Sequence, residues 1–331
     1  MCSAAIYGTG AYVPHKTLTN EDFSRTLDTT DEWITTRTGI KERRIAAPDQ
    51  ATSDLCLHAA RAALKDAGIA PRDLDLIIVG TITPDYPTPS TACILQQKLG
   101  LGDKTIPCFD LSAACSGFIY ALTTASAYIT AGLAARVLVV GSEATSRIVD
   151  YSDRRTCILF GDGAGAAVLG PPRTDGPSHK VLSTRLYADG NHAGLISIPA
   201  GGSARPASRE TCDSKLHYIR LNGREVFRFG VIKVVEMIKD AMARHNLMPA
   251  DVGAIIPHQA NMRIIEAAVE RLALPWDLFI INLQRYGNTS SASVPLALDE
   301  ASRAGRLVKG KPVIMLAFGG GMTWASAVVE W

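Results

Sequence analysis

The chain has 331 residues, 47% hydrophobic and 20% charged, with a formal net charge of +2. That composition supports a substantial core and excludes a disordered chain, and the balanced charge gives no reason to expect a nucleic-acid or membrane partner. No apolar run is long and uncharged enough to span a bilayer, and no charged segment followed by an apolar one opens the chain, so neither a membrane span nor a signal peptide is expected.

The first clear elements are an alanine-rich amphipathic helix over Leu55–Ala67 and a short apolar strand over Leu76–Val79. A short strand then leads into Asp110-Leu111-Ser112-Ala113-Ala114-Cys115-Ser116-Gly117, and an apolar helical stretch follows from Phe118 to Ile129. Buried strands are expected over Arg136–Val140, Gly165–Leu169 and Val313–Ala317, and a second amphipathic helix over Val231–Arg244. The alternation predicts an α/β protein with parallel or mixed sheets. Residues 62–80 and 240–258 share one pattern: helix, proline turn, acidic residue, apolar strand. Pairing Pro71 with Pro249 sets an offset of 178, which pairs Asp110 with Asn288 and Cys115 with Ser293. Two similar halves are therefore expected, 1–173 and 174–331, divided at the breaker cluster around Gly170–Pro177.

Seven cysteines (Cys2, Cys56, Cys93, Cys108, Cys115, Cys157 and Cys212) are odd in number, scattered, and lack a C-x-x-C pair. Free thiols in a reducing, cytoplasmic setting are expected, with no metal site. Cys115 differs from the rest. Small neighbours leave its sulfur accessible, and a helix start offers unpaired N–H groups and the positive end of the dipole, which lower a thiol's pKa. The competing reading is a small core residue. In the second half, His258 follows the apolar strand Ile255-Ile256-Pro257, where α/β proteins place ligands, although a histidine in such a place is more often a hydrogen-bonded packing residue. Asn288 follows Gly287 and could be only a helix cap. Gly319-Gly320-Gly321 after a buried strand marks a tight turn or a close backbone approach. Gly161-Asp162-Gly163-Ala164-Gly165 is followed by a strand and reads as a hairpin turn, not a phosphate loop.

Together these parts fit acyl transfer. A thiolate would take an acyl group from a thioester, N–H groups at Cys115 and Gly320 would hold the oxyanion, and neutral His258 and Asn288 would donate to an enolate left by decarboxylation. A papain-like protease uses the same Cys, His and Asn types, but its cysteine lies near the mature N-terminus, and the duplicated α/β pattern fits it poorly.

Six segments in order resemble the β-ketoacyl-acyl-carrier-protein synthase III family of the thiolase-fold superfamily: Asp28–Ile40, the Cys115 segment, Phe160–Val168, Pro257–Ile264, Gly287–Ser290 and Ala317–Trp324. The resemblance implies a five-layered αβαβα sandwich of two duplicated halves with mixed sheets, acting as a homodimer without a cofactor. It implies that Cys115 accepts an acyl group from acyl-CoA, and that malonyl-acyl carrier protein then enters, loses CO₂ and condenses, assisted by His258 and Asn288. Trp33 and Arg154 would sandwich the adenine, Thr29, Arg37, Gly223, Phe227 and Asn261 would line the tunnel, and Arg228 and Arg263 would meet the carrier protein. Thr88 and Phe318 would border the acyl pocket. Thr88 stands where some acetyl-specific relatives carry phenylalanine, so medium or branched acyl groups are expected. Glu270 replaces a frequent basic residue of the docking face, and Met322 a frequent phenylalanine. Two other functions share these residues or this fold: a secondary-metabolism homologue that primes a polyketide or acylates O or N, and a non-catalytic acyl-CoA-binding protein.

Overall fold

The computed structural model describes residues 4–331. Cys2 lies outside the described residues, and the six cysteines within them are free. The chain builds one pattern twice. In the first pass β1 (Ala5–Tyr12) leads to α1 (Thr52–Ala67), β2 (Leu76–Gly80), α2 (Thr91–Lys98), β3 (Cys108–Leu111), α3 (Gly117–Thr130), β4 (Val137–Glu143) and β5 (Gly163–Gly170). In the second, β6 (His179–Ala188) leads to α4 (Gly223–Arg244), β7 (Ala254–Pro257), α5 (Met262–Leu272), α6 (Ser293–Arg303), β8 (Pro312–Gly319) and β9 (Thr323–Glu330). The chain crosses between the halves over residues 171–178.

The strand order is β7-β8-β9-β6-β1-β5-β4-β2-β3. Within each half the pairings match: β2 runs parallel to β4 as β7 does to β8, and β5 and β9 return antiparallel. In β3's place the second half has a single bridge, Ile255 to Phe279. Among the described residues the two halves of the strand order are joined by the pairs Ala5–Lys180 and Ile6–His179 and by the Val181 N–H donating to Ala4 O at 2.9 Å.

The strands are apolar on both faces, so each sheet must be covered twice. Ile77 and Val79 of β2 pack with Leu55, Ala59 and Ala63 of α1, while Ile78 faces the opposite way. On that inner side α3 (Phe118, Leu122, Ala125) and α6 (Val294, Ala297, Ala301) share one core with Val139 of the first sheet and Met315 and Val329 of the second. Helix α3 can be apolar nearly all round because sheets flank it on both sides. Helices α4 and α5 cover the outer face of the second sheet through Val234, Ile238, Ile264 and Ala268. The result is the five-layered αβαβα sandwich with mixed sheets.

Three readings change. The internal alignment slips by two. Residues 114–116 and 290–292 form matching single turns, entered by Ala114 at φ +46° and Ser290 at φ +50°. The offset there is 176, so Cys115 answers Ser291, not Ser293, which opens α6 as Gly117 opens α3. Asp110 likewise loses Asn288 as its counterpart, because Phe279 answers Cys108 across the parallel neighbour. Connections of unequal length before each helix cause the slip. Thirdly, Gly161–Gly165 is not a hairpin turn. Strands β4 and β5 are antiparallel neighbours joined by the long segment 144–162. Buried Asp162 pins that segment, accepting from Ala46 N (2.7 Å), Ser146 N (2.8 Å) and Ser146 Oγ (2.6 Å).

Candidate active site

The equivalent helix starts of the two halves converge at their interface. Cys115 sits on the single turn before α3, where Ser116 N bonds back to Ala113 O at 3.1 Å. Thr323 Oγ1 donates to Ala113 O at 2.9 Å and also approaches Gly320 O at 3.3 Å, tying the nucleophile's turn to the glycine turn. Gly319 touches that turn so closely that a Cβ there would lie 2.7 Å from Cys115 N and 3.0 Å from its sulfur. Any side chain at 319 would displace the thiol.

His258 leaves the end of β7, its N–H donating to Leu316 O at 2.7 Å. Its ring lies edge-on to Phe318, with centroids 5.7 Å apart. Nδ1 is buried and has no partner among the described residues, so Nε2 is the ring nitrogen open to the cavity. Burial pushes the imidazole down to about 3, which keeps it neutral. Gln259 locks this corner: its N–H donates to Ser293 Oγ, its Nε2 to Pro257 O, and its Oε1 accepts from Asn282 N and Leu283 N.

Asn288 is held by a bridge to Phe160, its N–H donating to Leu159 O at 2.8 Å. Gly287, at φ +64°, makes this crossing possible, since a Cβ there would strike Leu159 O at 2.7 Å. The Asn288 Oδ1 accepts from Ser290 N at 2.9 Å. That bond fixes the amide's orientation and leaves Nδ2 without a partner among the described residues.

Cys115, His258 and Asn288 line one cavity of about 720 Å³, together with Gly320 and Phe318. Its outer part carries Trp33, Arg37, Arg154, Gly223, Phe227, Asn261 and Arg263. Arg37 and Arg154 both stack over the Trp33 ring, with guanidinium carbons 4.5 and 5.1 Å from its centroid. Arg154 also bonds the Asp28 carbonyl and its carboxylate. Arg155 and Arg224, which sequence reasoning passed over, add to this cationic mouth. Such a mouth suits an anionic ligand.

Not every expected residue lines the cavity. Thr88 is exposed on the 81–90 loop and does not line its own chain's cavity. Arg228 points to solvent from α4, one residue beyond the cavity-lining Phe227. Thr29 is half-buried and outside the cavity wall, beside the Asp28 that Arg154 engages. Asn261 does line the cavity, but its amide is committed: Oδ1 caps α5 through Arg263 N, and Nδ2 donates to Arg37 O. The thiol also departs from its expected acidity. Burial pushes Cys115 up to about 12, and the Glu143 carboxylate pushes the same way; a Ser290 hydrogen bond opposes them. Desolvation outweighs the favourable helix start.

Glu143 and Ser290 were missed. A carboxyl ending the apolar strand Val137-Leu138-Val139-Val140-Gly141-Ser142-Glu143 was a legible anomaly, since a buried acid at a strand end marks a site.

Residues 109–190 match the family described as 3-oxoacyl-(acyl-carrier-protein) synthase III, and residues 242–331 match its C-terminal description. A β-ketoacyl-(acyl-carrier-protein) synthase III of Caldanaerobacter subterraneus subsp. tengcongensis is 52% identical over 329 residues, covering 99% of this chain and 98% of the relative. The chain belongs to the β-ketoacyl-acyl-carrier-protein synthase III family. It is therefore a condensing acyltransferase of the thiolase fold. The solved synthase III of Thermus thermophilus is 46% identical with a TM-score of 0.89, covering 98% of both chains. The priming β-ketosynthase of the R1128 polyketide pathway is 37% identical with a TM-score of 0.88, covering 98% of this chain and 96% of its own.

Proposed function

We propose that this synthase III transfers an acyl group from acyl-CoA to Cys115 and condenses it with malonyl-acyl carrier protein, the initiating step of fatty-acid synthesis. The observation that carries the reading is one cavity holding the sulfur, the imidazole and the carboxamide behind an arginine-lined mouth. In this mechanism the sulfur attacks the thioester carbonyl, and the tetrahedral oxyanion takes N–H donors from Cys115 and Gly320. Collapse expels the CoA thiolate, which leaves as the thiol. The malonyl group then loses CO₂, and its enolate oxygen accepts from His258 Nε2 and Asn288 Nδ2. Neutral donors suit this step, because no proton has to be removed when CO₂ departs. The enolate carbon attacks the acyl-enzyme carbonyl, the C–S bond breaks, and a β-ketoacyl carrier protein leaves.

Trp33, Arg37 and Arg154 would hold the nucleotide, with Gly223 and Phe227 along the pantetheine path. Arg263, whose guanidinium lies 5.7 Å over Phe227, and exposed Arg228 would face the acidic carrier. No resident cofactor or metal enters the chemistry. We place the nucleophile in half 1–173 and the two donors in half 174–331. The free cysteines support a cytoplasmic enzyme, and β3, paired on one side only, offers an edge for a second copy in a homodimer. No helix among the described residues is long and apolar enough to cross a membrane.

Intact-mass measurement with acyl-CoAs of graded length tests the reading, followed by malonyl-carrier addition. An acyl adduct that disappears with carrier-dependent CO₂ release is expected. An adduct that persists would favour a binding protein. The likeness to a polyketide-priming synthase keeps a second reading, with the same residues serving a different carrier, and the carrier dependence of CO₂ release separates the two.

A further inference from the structure

The thiol of Cys115 must lose its proton to attack, and its acceptor is not evident among the three residues above. His258 has no buried partner to orient it or to stabilise an imidazolium, and burial pushes it down to about 3. It is a poor base for a thiol. Asn288 cannot accept a proton at all.

A different group lies on the other side of the sulfur. Ser290 and Cys115 line the same cavity from two turns that pack against each other, and Ser290 Oγ donates to Glu143 Oε1 at 3.1 Å. Glu143 is fully buried at the end of β4, and no cation pairs with it among the described residues. Its carboxylate is instead surrounded by donors: Thr83 Oγ1 at 2.6 Å, Thr81 Oγ1 at 3.1 Å and Ile82 N at 3.1 Å on Oε2. These bonds stabilise the ionised form against a large desolvation cost and hold the carboxylate in one orientation. Ser290 is fixed as well, at φ +50° on the turn opposite Cys115, with its N–H on Asn288.

We propose that Ser290 and Glu143 form a proton relay for the nucleophile: Ser290 is the residue that takes the thiol proton, and Glu143 is the positioning base behind it. The proposal rests on Cys115 being the acyl acceptor. As the thiol approaches the thioester, its proton passes to Ser290 Oγ while the Ser290 hydroxyl proton passes to Glu143 Oε1. The S–H electron pair stays on sulfur and forms the new C–S bond. The Ser290 hydroxyl, now carrying the former thiol proton, donates to the thiolate and stabilises it. When the tetrahedral adduct collapses, the leaving thiolate takes up one proton, and reversal of the relay restores Glu143 as carboxylate. Net, thiol plus thioester give a new thioester plus a free thiol. Burial pushes the Glu143 carboxyl above its ordinary range, which brings its proton affinity closer to that of the thiol.

The test uses full-length protein with Ser290→Ala, Glu143→Gln and Glu143→Asp. Two rates are read: alkylation of Cys115 by iodoacetamide, which needs only the thiolate, and acyl-enzyme formation from acyl-CoA by rapid-quench mass spectrometry. Ser290→Ala keeps the backbone N–H that orients Asn288. Both rates should fall about 10²-fold in Ser290→Ala and Glu143→Gln, with the acyl-CoA Kd unchanged. The double variant should be no slower than either single one, and Glu143→Asp should recover part of the loss. Should Ser290→Ala not fold, Ser290→Gly suits the positive φ and decides the matter by itself. Wild-type rates in the folded Ser290 variants would overturn the relay. A wild-type protein that never loads from acyl-CoA, yet shows Ser290-dependent alkylation, would overturn the proposed function and leave the relay standing.

Discussion

At the scale of single residues, the proposed mechanism divides the labour between a sulfur and two neutral donors. Cys115→Ser should abolish the acyl adduct in intact-mass spectra; an adduct that survives would remove Cys115 from the mechanism. His258→Ala and Asn288→Ala should still load the acyl group while β-ketoacyl formation falls by 10²-fold or more, about the value of one lost oxyanion donor. Equal loss of both steps in a stopped-flow comparison would show that the two donors also serve acylation. These three residues were legible in the sequence because each stands in a short segment whose neighbours have one purpose: small side chains around Cys115, a strand end before His258, a glycine before Asn288. Ser290 and Glu143 were not legible as partners, since 147 residues separate them and only the packed halves bring them together. The outward setting of Thr88 was not legible for a related reason, because a position in the sequence does not say which way a loop faces.

At the scale of elements, the glycine turn after β8 controls where the nucleophile lies. Gly319→Ala would place a methyl group inside contact distance of the Cys115 backbone and sulfur. We expect destabilisation of about 1–3 kcal/mol and a larger fall in acylation rate, measured by urea midpoint and by adduct formation. Unchanged acylation at reduced stability would show that the turn relaxes away from the thiol. The buried strands β2, β4, β5 and β8 were readable as apolar runs bounded by breakers, and each extends one or more residues beyond its expected limits. Strand β6 was not, since it is half-solvated and carries charged residues. Helix α4 begins eight residues earlier than expected; its first residues, Gly223–Glu225, are exposed, and Arg224, Glu225, Arg228 and two glycines break up the apolar pattern around Val226, Phe227 and Phe229.

At the scale of the whole molecule, buried ionisable groups set the response to acid. Unfolded, His258 takes up a proton near its ordinary 6.5; folded, it refuses one until about 3. Stability therefore falls as pH drops from 6.5 toward 3. Burial raises Glu143 and Asp162, which bind protons more readily when folded and so contribute in the opposite direction as pH falls. His258→Gln should flatten the acid limb of the denaturant midpoint below pH 6.5, and an unchanged limb would remove the imidazole as its cause. The duplicated architecture was legible from paired proline turns, but its register was not, because unequal connections shift the pairing between one element and the next.

Arg154 rests on Trp33, 5.1 Å from the ring centre and clasped by Asp28. A flat heterocycle gripped on both faces needs two contact distances of about 3.5–4.0 Å each. For the proposed sandwich of a nucleotide base between these two side chains, the guanidinium has to move outward from the ring. Shortening Arg154 should then weaken the grip on the thioester, read as a raised Kd, while the loading rate at saturation stays near its wild-type value.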